Sequence, residues 1–266
     1  MEHNQSLARS GLARMDLKRL KSRMFRSLGR SARRLPSISI IVPAHNEEAY
    51  LGATLDALRR QRYPDYEVVV VANGCDDRTA DVAREKCDRL VVLKEKSLGV
   101  ARNLGARMAT GELLIFLDAD TLLEPRALRV IAREFTERDC GGTLKGRPDS
   151  GRFAYRLIYW LKNFIHRFVV RNGSSGVIIC WKKHFMGVGG FDEHLELREN
   201  SELIRRMKCF AGYRFGGYKY IGSTVATTSM RRFERRGLRN IVWLWIKLWF
   251  LSLFSDLRHR KYESVR

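Results

Sequence analysis

The sequence predicts an α/β protein built on a mostly parallel, Rossmann-like sheet with flanking helices. Two observations carry this prediction. Four short apolar runs rich in β-branched residues follow one another, at 38–43, 68–72, 90–93 and 113–117. Stretches of helical character come after them, at roughly 47–62, 78–87, 98–109 and 125–138. Unbroken apolar runs are typical of strands buried on both faces, and strand–helix alternation is typical of parallel βαβ units.

Length and composition fit one or two globular domains. The chain has 266 residues, of which 45% are hydrophobic and 10% aromatic, and this excludes wholesale disorder. The five cysteines are scattered and form no C-x-x-C pair, so neither a zinc site nor a disulfide framework is indicated. Reduced cysteines in the cytosol are the simplest interpretation. We see no signal-peptide h-region and no 18-residue apolar run, so a membrane-spanning helix is not expected.

The positive charge is concentrated at the two ends of the chain. The net charge is +21, with +8 in residues 1–36, +7 in residues 230–266 and +6 between them. We therefore divide the chain into a basic amphipathic segment (1–36), a main domain (37–236) and a Trp-rich amphipathic segment (237–266). An anionic membrane surface fits this distribution better than a nucleic acid does, since the charge lies beside amphipathic and Trp-rich stretches.

Each terminal segment has two interpretations. Residues 1–36 have apolar side chains at helical spacing and are either a solvated tail or a membrane-surface helix. Residues 241–254 form a 14-residue apolar run with three Trp and one lysine, Lys247. This run is either a helix in the membrane interface or a helix packed on the domain or on a partner.

Two carboxylates, Asp118 and Asp120, follow the fourth predicted strand. Ligands of parallel sheets bind at the carboxyl ends of the strands, and paired carboxylates there are costly without a cation. Mg²⁺ favours one or two carboxylates together with substrate phosphates. The pattern of strand, D-x-D, Thr121 and a helix beginning at Pro125 therefore indicates a metal or sugar-nucleotide site; a structural carboxylate pair is the alternative.

Further candidate residues follow the first two predicted strands, and one lies in the third predicted helix. Asn46 and Glu47 precede a helix whose N-terminus can hold a nucleotide, although they could act as helix caps alone. Asn73 can donate to and accept from a nucleobase edge, or form an Asx turn. Arg102 could hold a phosphate or support the Asp118 loop, or lie on a plain surface helix.

Taken in order, these segments resemble the family 2 glycosyltransferases with a GT-A fold. The resemblance covers about residues 37–236 and rests on I-I-V-P-A-H-N-E-E, V-V-V-V-A-N-G-C-D-D-R-T, G-V-A-R-N-L-G-A and L-D-A-D-T. The ordered set is far more specific than any one motif. It implies a UDP- or GDP-sugar donor, a divalent cation (Mg²⁺ or Mn²⁺) at the D-x-D motif, and transfer with inversion at the anomeric carbon.

The resemblance also implies positions for the donor-binding residues. Asn73 stands where the family most often has Asp for the base, and Asp77 supports that loop. Asp118 faces the sugar or ribose, and Asp120 faces the metal. The T-S-M-R-R-F-E-R-R stretch at 228–236 resembles an Arg cluster beside the donor diphosphate, with a solvated or lipid-facing charge run as the alternative. The remaining residues assigned to the donor by this match are Pro43, His45, Asn46, Glu47, Arg102, Arg231 and Arg232.

Two further motifs resemble the acceptor side and the general base of the family. The G-V-G-G-F-D-E stretch at 187–193 resembles the G-G-F-D-E loop, which assigns Gly189, Gly190 and Asp192 to the acceptor side, together with Gly176 of the preceding Gly-rich run. The E-N-S-E-L stretch resembles E-D-x-E-L, but Asn200 replaces the acid, and an amide cannot accept a proton from a hydroxyl. The base is then Glu199, with Glu202 second, unless both only begin an exposed helix.

The sequence therefore predicts a metal-dependent inverting glycosyltransferase, cytoplasmic and associated with the inner face of the cell membrane. We expect its acceptor to be carried by a membrane or the cell envelope. Three alternatives were considered. A nucleotidyltransferase would require a Gly-rich signature near the first strand, which is missing here. A polybasic nucleic-acid-binding protein would account for the net charge. A non-catalytic GT-A relative would account for Asn200.

Overall fold

The computed structural model of the chain describes residues 34–169, 176–195, 199–210, 212 and 217–236. All elements below belong to the unit that begins at Pro36. Nearly all of segment 1–36 and the whole of segment 237–266 lie outside the described residues, so the predictions made for them remain predictions. Of the helices in the described part of the chain, none has the length and apolarity needed to cross a membrane.

Strands and helices alternate through the first half of the described chain. The strands are β1 (Ile38–Ala44), β2 (Tyr66–Asn73), β3 (Arg89–Leu93), β4 (Leu113–Leu117), β5 (Thr121–Leu123), β6 (Gly141–Pro148), β7 (Val177–Trp181) and β8 (Tyr218–Thr228). The helices are α1 (Glu48–Arg59), α2 (Thr79–Lys86), α3 (Leu98–Met108), α4 (Ala127–Glu134), α5 (Phe153–Phe164), α6 (Lys182–Gly187), α7 (Glu199–Phe210) and α8 (Arg231–Arg236). A five-residue π-helix (Ile165–Val169) continues α5.

The strands form one eight-stranded sheet in the order β3-β2-β1-β4-β7-β6-β8-β5. The β3-β2-β1-β4 half is parallel, as βαβ units require. The other half is mixed: β7 is antiparallel to β4 and β6, β6 is parallel to β8, and β5 is antiparallel to β8. The predicted α/β class is confirmed, with more antiparallel pairing than expected in the less regular second half.

Two layers of side chains cover the sheet. On one face, Ile40 and Val42 pack with Leu51 and Leu55 of α1. On the other face, Ile41 belongs to a cluster formed with α3, α6 and α7. Both faces of β1 and β4 are fully buried, and this explains their unbroken apolar sequences.

Two local predictions were wrong. The run 90–93 is not buried on both faces, since β3 is an edge strand whose Val92 is 58% exposed. A run of four apolar residues does not distinguish an edge strand from a central one. The helix after Asp120 begins at Ala127 and not at Pro125, because Thr121–Leu123 form β5 and pair with β8. That pairing brings the end of β8 next to the D-x-D motif.

We expect a pH-dependent stabilisation from Glu67, which lies at the start of β2. Its Oε1 accepts hydrogen bonds from Ser39 Oγ at 2.6 Å and from Thr110 N and Oγ1 at 2.5 and 2.6 Å. Arg89 Nε lies 3.2 Å from Oε2. Burial raises the pKa of Glu67, but these hydrogen bonds outweigh burial and hold that pKa below its usual value.

A lowered native pKa means that the stabilisation is present above the unfolded-state pKa and is lost as the pH falls through the folded-state pKa. Glu67→Gln should therefore lower the free energy of unfolding by about 1–2 kcal/mol at neutral pH, with the difference from wild type shrinking below about pH 4. Urea denaturation across this range measures the effect. The exposed Glu85→Gln is the control. An equal loss for Glu67→Gln at every pH would contradict the prediction.

Candidate active site

The carboxyl ends of β2, β1 and β4 lie side by side, because these three strands are parallel neighbours. Asp77 follows β2, Glu47 follows β1 and Asp118 follows β4. Pro43 is buried within β1, in register with Val71. The sheet therefore gathers the polar residues after each strand at one edge, the place where parallel sheets bind ligands.

Asp77 ties the segment after β2 to the start of α1. Its Oδ1 accepts hydrogen bonds from Thr79 N at 2.9 Å and Thr79 Oγ1 at 2.5 Å, and its Oδ2 accepts one from Glu48 N at 3.1 Å. Thr79 Oγ1 in turn accepts from Glu47 N at 2.7 Å. Burial raises the pKa of Asp77, but these hydrogen bonds lower it by more, so the net shift is downward. The ionised carboxylate thus helps to hold Glu47 in place.

The polar residues predicted to lie by the nucleoside are engaged with the backbone. Asn46 has a φ of 53°, and its Oδ1 accepts from Asp76 N at 2.9 Å. Asn73 is 1% exposed, and its Oδ1 accepts from Ser97 N at 2.8 Å. His45 Nδ1 donates to the carbonyl oxygen of Asn73 at 2.8 Å, since a carbonyl only accepts. The bonds of His45 and Asn46 connect the segments after β1 and β2, and the bond of Asn73 connects the end of β2 to the residue before α3. The contact of Asn73 with a base stays a prediction, and its acceptor oxygen is already in use.

A buried ion cluster joins α8 to the D-x-D motif. Arg231 Nη2 donates to both carboxylate oxygens of Glu47, at 2.6 Å to Oε2, and lies 3.2 Å from Asp120 Oδ2. The side chains of Glu47, Asp120 and Arg231 are 4%, 9% and 13% exposed. Arg231 also lies over the ring of Tyr50, 4.2 Å from its centroid. Burial lowers the pKa of Arg231, whereas Glu47 and Asp120 raise it by more, so the guanidinium stays charged.

The structure thus brings together three residues that the sequence assigned to the diphosphate, the nucleoside and the metal. Arg231 begins α8, three residues after the end of β8, whereas Glu47 lies in the loop after β1 and Asp120 in the loop after β4. The side chain of Arg232 lies outside what the structure describes, so its predicted contact with the diphosphate is untested.

A second buried arginine, Arg102, connects the D-x-D motif to α7. Its Nη1 donates to Glu199 Oε1 at 3.1 Å and to Asn200 Oδ1 at 3.0 Å, and its Nη2 lies 3.8 Å from Asp118 Oδ1. The guanidinium carbon lies 4.9 Å from the centroid of the Phe191 ring. Arg102 is 5% exposed, so the alternative of a plain surface helix is wrong at this residue. Its buried Nε finds no hydrogen-bond partner among the described residues.

The two candidate bases have different surroundings. Glu202 accepts from Arg206 through both oxygens, at 2.6 and 2.7 Å. Arg206 also donates to the carbonyl oxygens of Val188 and Gly190, at 2.6 and 2.7 Å, so this pair fixes the glycine loop. Glu199, by contrast, shares its arginine with Asp118 of the D-x-D motif. Glu199 therefore lies beside the D-x-D motif, whereas Glu202 is held by an arginine that binds the glycine loop, and the role of either as the base stays a prediction.

Gly176 packs directly against Asp118. It has a φ of +82°, and a Cβ at this position would lie 3.0 Å from Thr121 Oγ1 and 3.3 Å from Asp118 Oδ2. Its carbonyl oxygen accepts from Asp118 N at 3.0 Å. Only a residue without a side chain adopts this backbone conformation at this distance without strain. Gly176, which was assigned to the acceptor side, therefore contacts the D-x-D motif directly.

The G-G-F-D-E loop is held by Asn103, a residue that the sequence analysis did not single out. Asn103 Nδ2 donates to Phe191 O at 2.9 Å and Glu193 Oε1 at 2.8 Å, and Asn103 Oδ1 accepts from Phe191 N at 2.8 Å. Gly190 has a φ of +79°, and a Cβ there would come within 2.4 Å of Asn103 Oδ1. The sequence could have pointed to Asn103, since it adjoins Arg102 in the G-V-A-R-N-L-G-A motif.

The other two residues assigned to the acceptor side lie in the same loop. Gly189 also has a φ of +79°, with open space where a Cβ would be. Asp192 is partly buried, and its Oδ1 accepts from His194 N at 3.0 Å. Their contact with an acceptor stays a prediction.

We expect Asn103→Ala to destabilise the protein and to loosen the G-G-F-D-E loop. The variant leaves the backbone groups of Phe191 without their partner in a buried setting, at a cost of about 2–3 kcal/mol in the free energy of unfolding. Urea denaturation measures this loss. Replacing the exposed Arg107 of the same helix by alanine is the control. A loss below about 0.5 kcal/mol for Asn103→Ala would show that the loop does not depend on it.

The D-x-D carboxylates fit a hard divalent cation. Within the described residues there is no group of three His, Cys, Asp or Glu that would form a complete metal site. Asp118 is one third exposed, whereas Asp120 is 9% exposed and lies 3.2 Å from Arg231, so Asp120 would share its carboxylate between the arginine and an ion. Mg²⁺ and Mn²⁺ prefer such ligands, and donor phosphates complete the coordination. Residues Asp118 and Asp120 would hold the ion.

Solved glycosyltransferase structures share this GT-A fold. The mannosyltransferase PcManGT from Pyrobaculum calidifontis, in complex with GDP-Man and Mn²⁺, matches with a TM-score of 0.57 and 20% identity over 72% of this chain. TarS residues 1–349 from S. aureus, in complex with UDP-GlcNAc, matches with a TM-score of 0.55 and 18% identity over 86%. The chain spans 56% and 62% of these two proteins, respectively. At these identities the likeness is one of fold.

Sequence relatives identify the family. The profile of Glycosyl transferase family 2 matches residues 39–233. The PGL/p-HBAD biosynthesis glycosyltransferase of Mycobacterium tuberculosis is 30% identical over 187 residues, which cover 64% of this chain and 73% of the relative. The validoxylamine A glucosyltransferase of Streptomyces hygroscopicus subsp. limoneus is 39% identical over 105 residues, 36% of this chain and 23% of the relative. The chain belongs to glycosyltransferase family 2, and the predicted resemblance is confirmed.

Proposed function

We propose that the protein transfers a sugar from a nucleoside diphosphate sugar to a hydroxyl of its acceptor, with inversion at the anomeric carbon. The observation that carries this proposal is the meeting of two ion clusters at one edge of the sheet. Arg231, Glu47 and Asp120 form the first, and Arg102, Asp118 and Glu199 form the second. Neighbouring structures hold UDP-GlcNAc or GDP-Man, and this supports a UDP- or GDP-sugar as the donor.

The first cluster provides the donor side. Asp120 of this cluster, together with Asp118 of the second, would hold Mg²⁺ or Mn²⁺, and the ion would neutralise the charge that develops on the leaving diphosphate. Arg231 is buried and permanently charged, so it is suited to bind phosphate oxygens in a bidentate manner. We assign Arg232 to the same diphosphate. Glu47 fixes the direction of the Arg231 guanidinium, and Asp77 fixes the backbone of Glu47 through Thr79.

The second cluster provides the acceptor side. Glu199 accepts the proton of the acceptor hydroxyl, and the oxygen attacks the anomeric carbon from the face opposite the diphosphate. The new carbon–oxygen bond forms while the bond to the phosphate oxygen breaks, and the nucleoside diphosphate leaves with its electron pair. Arg102 holds Glu199 at a fixed position relative to Asp118. Gly189, Gly190 and Asp192 line the approach of the acceptor.

We infer that the acceptor is carried by a lipid or the cell envelope, at the cytoplasmic face of the membrane. The two basic ends, with net charges of +8 and +7, support this inference, as does the Trp-containing run 241–254. The mycobacterial relative is named for PGL/p-HBAD biosynthesis. That name identifies neither the sugar nor the acceptor of this chain.

A non-catalytic GT-A relative is the second candidate, because Asn200 stands in place of the expected acid. Asn200 Oδ1 accepts from the same Arg102 Nη1 as Glu199 does. If Glu199 cannot serve as the base, the chain would bind a nucleotide sugar without transferring the sugar.

A panel of nucleotide sugars with Mg²⁺ or Mn²⁺ tests the proposal. We expect one or more UDP- or GDP-sugars to raise the thermal midpoint only when the metal is present, and to be hydrolysed slowly without an acceptor. Binding without any hydrolysis or transfer would favour the non-catalytic relative. No stabilisation by any donor would contradict both candidates.

A further inference from the structure

Helix α5 and its π-helical continuation present an apolar stripe to the solvent. Its members share high exposure despite being large and apolar: Phe153 is 78%, Leu157 51%, Trp160 63%, Leu161 49%, Phe164 45% and Phe168 59% exposed. At about 100° per residue they fall within roughly 100° of the helix circumference. Trp160 stacks on Phe164, and Phe164 contacts Phe168, with centroids 6.0 and 5.1 Å apart. The six residues are called the α5 stripe below.

The Lys, Arg, Asp and Glu residues within the segment that carries the α5 stripe are all basic. Residues 150–169 contain no Asp or Glu, whereas they contain three arginines and one lysine. Arg152, Arg156 and Arg167 are exposed, and the Arg167 guanidinium lies 5.1 Å from the ring centroid of Phe168. A helix with aromatic and aliphatic side chains on one face and cations at its border is typical of a helix that lies in the headgroup region of an anionic bilayer.

The opposite face of α5 packs beside the active site. Tyr159 is buried in a cluster with Tyr155, Met230 and Phe233, so this face of α5 packs on α8 and on the residue that precedes α8. Tyr155 contacts Phe233 of α8, with ring centroids 5.7 Å apart. A surface that contacts α5 from outside therefore lies across this helix from α8, whose Arg231 pairs with Asp120.

We propose that the α5 stripe binds the surface of an anionic lipid bilayer and so brings the active-site edge of the sheet to the membrane. The stripe provides the catalytic domain with a lipid contact of its own, separate from the terminal segments 1–36 and 237–266. The combination of exposed Trp and Phe with arginines that have no acid within the same segment favours anionic lipid over an uncharged apolar partner. The proposal rests on the proposed function only in that the acceptor is lipid-borne.

Co-sedimentation of the full chain with vesicles tests this proposal. The vesicles contain phosphatidylcholine alone or phosphatidylcholine mixed with phosphatidylglycerol. The stripe variant combines Leu157→Ser, Trp160→Ser and Phe164→Ser, whose side chains are exposed. The matched control combines Val92→Ser, Met108→Gln and Met186→Gln, which are 58%, 41% and 47% exposed and lie on other elements. A third variant combines Arg156→Gln and Arg167→Gln.

We expect the stripe variant to bind mixed vesicles at least about tenfold more weakly, because three anchoring apolar side chains are lost. The matched control should bind as wild type does. The affinity of the double arginine variant for mixed vesicles at low salt should fall about fivefold for each cation removed. Its affinity for phosphatidylcholine alone should change little. All variants should keep the thermal stabilisation by the donor nucleotide, so failure of membrane binding is distinguishable from failure of the nucleotide site.

Three results would overturn the proposal. Unchanged vesicle binding of the stripe variant would show that the α5 stripe does not contact lipid. A lower thermal midpoint of the stripe variant in lipid-free buffer, with vesicle binding intact, would show that another segment of the chain covers the stripe. A wild-type protein that is oligomeric in solution and becomes monomeric in the stripe variant, again with vesicle binding intact, would show that a second copy covers the stripe.

Discussion

Replacing Asp120 by asparagine should reduce sugar transfer by at least about a thousandfold while leaving the fold intact. The substitution removes one of the two carboxylates that we assign to the metal, and metal-ion stabilisation of a leaving group contributes several kcal/mol. Arg231 keeps its paired hydrogen bonds to Glu47, so the thermal midpoint should change by only a few degrees. Transfer rates with the donor identified by the panel, together with thermal unfolding, provide the measurement.

The control for Asp120→Asn is Glu234→Gln, which removes an exposed carboxylate of α8 near Arg231. This variant should transfer at close to the wild-type rate. Near-normal transfer by Asp120→Asn at saturating metal would contradict the assignment of Asp120 to the metal. If Asp120→Asn loses both transfer and the folded state, the experiment is repeated with Asp120→Glu, which keeps the charge and should fold.

Replacing Glu199 by glutamine should lower kcat by about a hundredfold to ten-thousandfold, the range that a general base contributes. Donor binding should change little, because Asp118 and Arg231 are unaltered. The amide oxygen of glutamine can still accept from Arg102 Nη1, so the position of Arg102 is retained. Single-turnover transfer separates this effect on the chemical step from any effect on binding.

Two neighbouring substitutions make the assignment of Glu199 testable. Glu202→Gln should lower the thermal midpoint by a few degrees, because it weakens the pair with Arg206, and should affect kcat less than Glu199→Gln does. Asn200→Asp restores the residue that the family motif has here. A rise in kcat above about tenfold in Asn200→Asp would contradict the assignment of the base to Glu199 and would favour position 200 as the impaired base.

The parallel half of the fold, in which neighbouring strands are joined by single helices, could be predicted well from the sequence. The runs that became β1, β2 and β4 are apolar and β-branched because both faces of these strands are buried. The spacing of α1 to α3 follows from their alternation with these strands. The position of Asp118 at the carboxyl end of β4, and its proximity to the loops after β1 and β2, follow from parallel topology alone.

Contacts between distant parts of the chain could not be predicted from local pattern. Arg231 and Glu47 are 184 residues apart, and they meet because β5 pairs with β8. The sequence showed β5 only as three residues between the D-x-D motif and a helix. The antiparallel insertion of β7 between β4 and β6 likewise has no signature in a five-residue apolar run. Arg102 was identified, but its bridge to Glu199 depends on how α7 packs.

The most direct test of the central claim is a crystal structure of the protein with UDP or GDP and Mn²⁺, in which anomalous scattering locates the metal. We predict one Mn²⁺ coordinated by Asp120, with Asp118 as a direct ligand or bound through water, and with the nucleotide diphosphate on the same ion beside Arg231. The contrary result is a diphosphate bound away from the carboxyl ends of β1 and β4, with Asp120 still paired to Arg231 and no metal near Asp118. It would contradict the claim that Asp118 and Asp120 hold the ion that binds the diphosphate of the sugar donor.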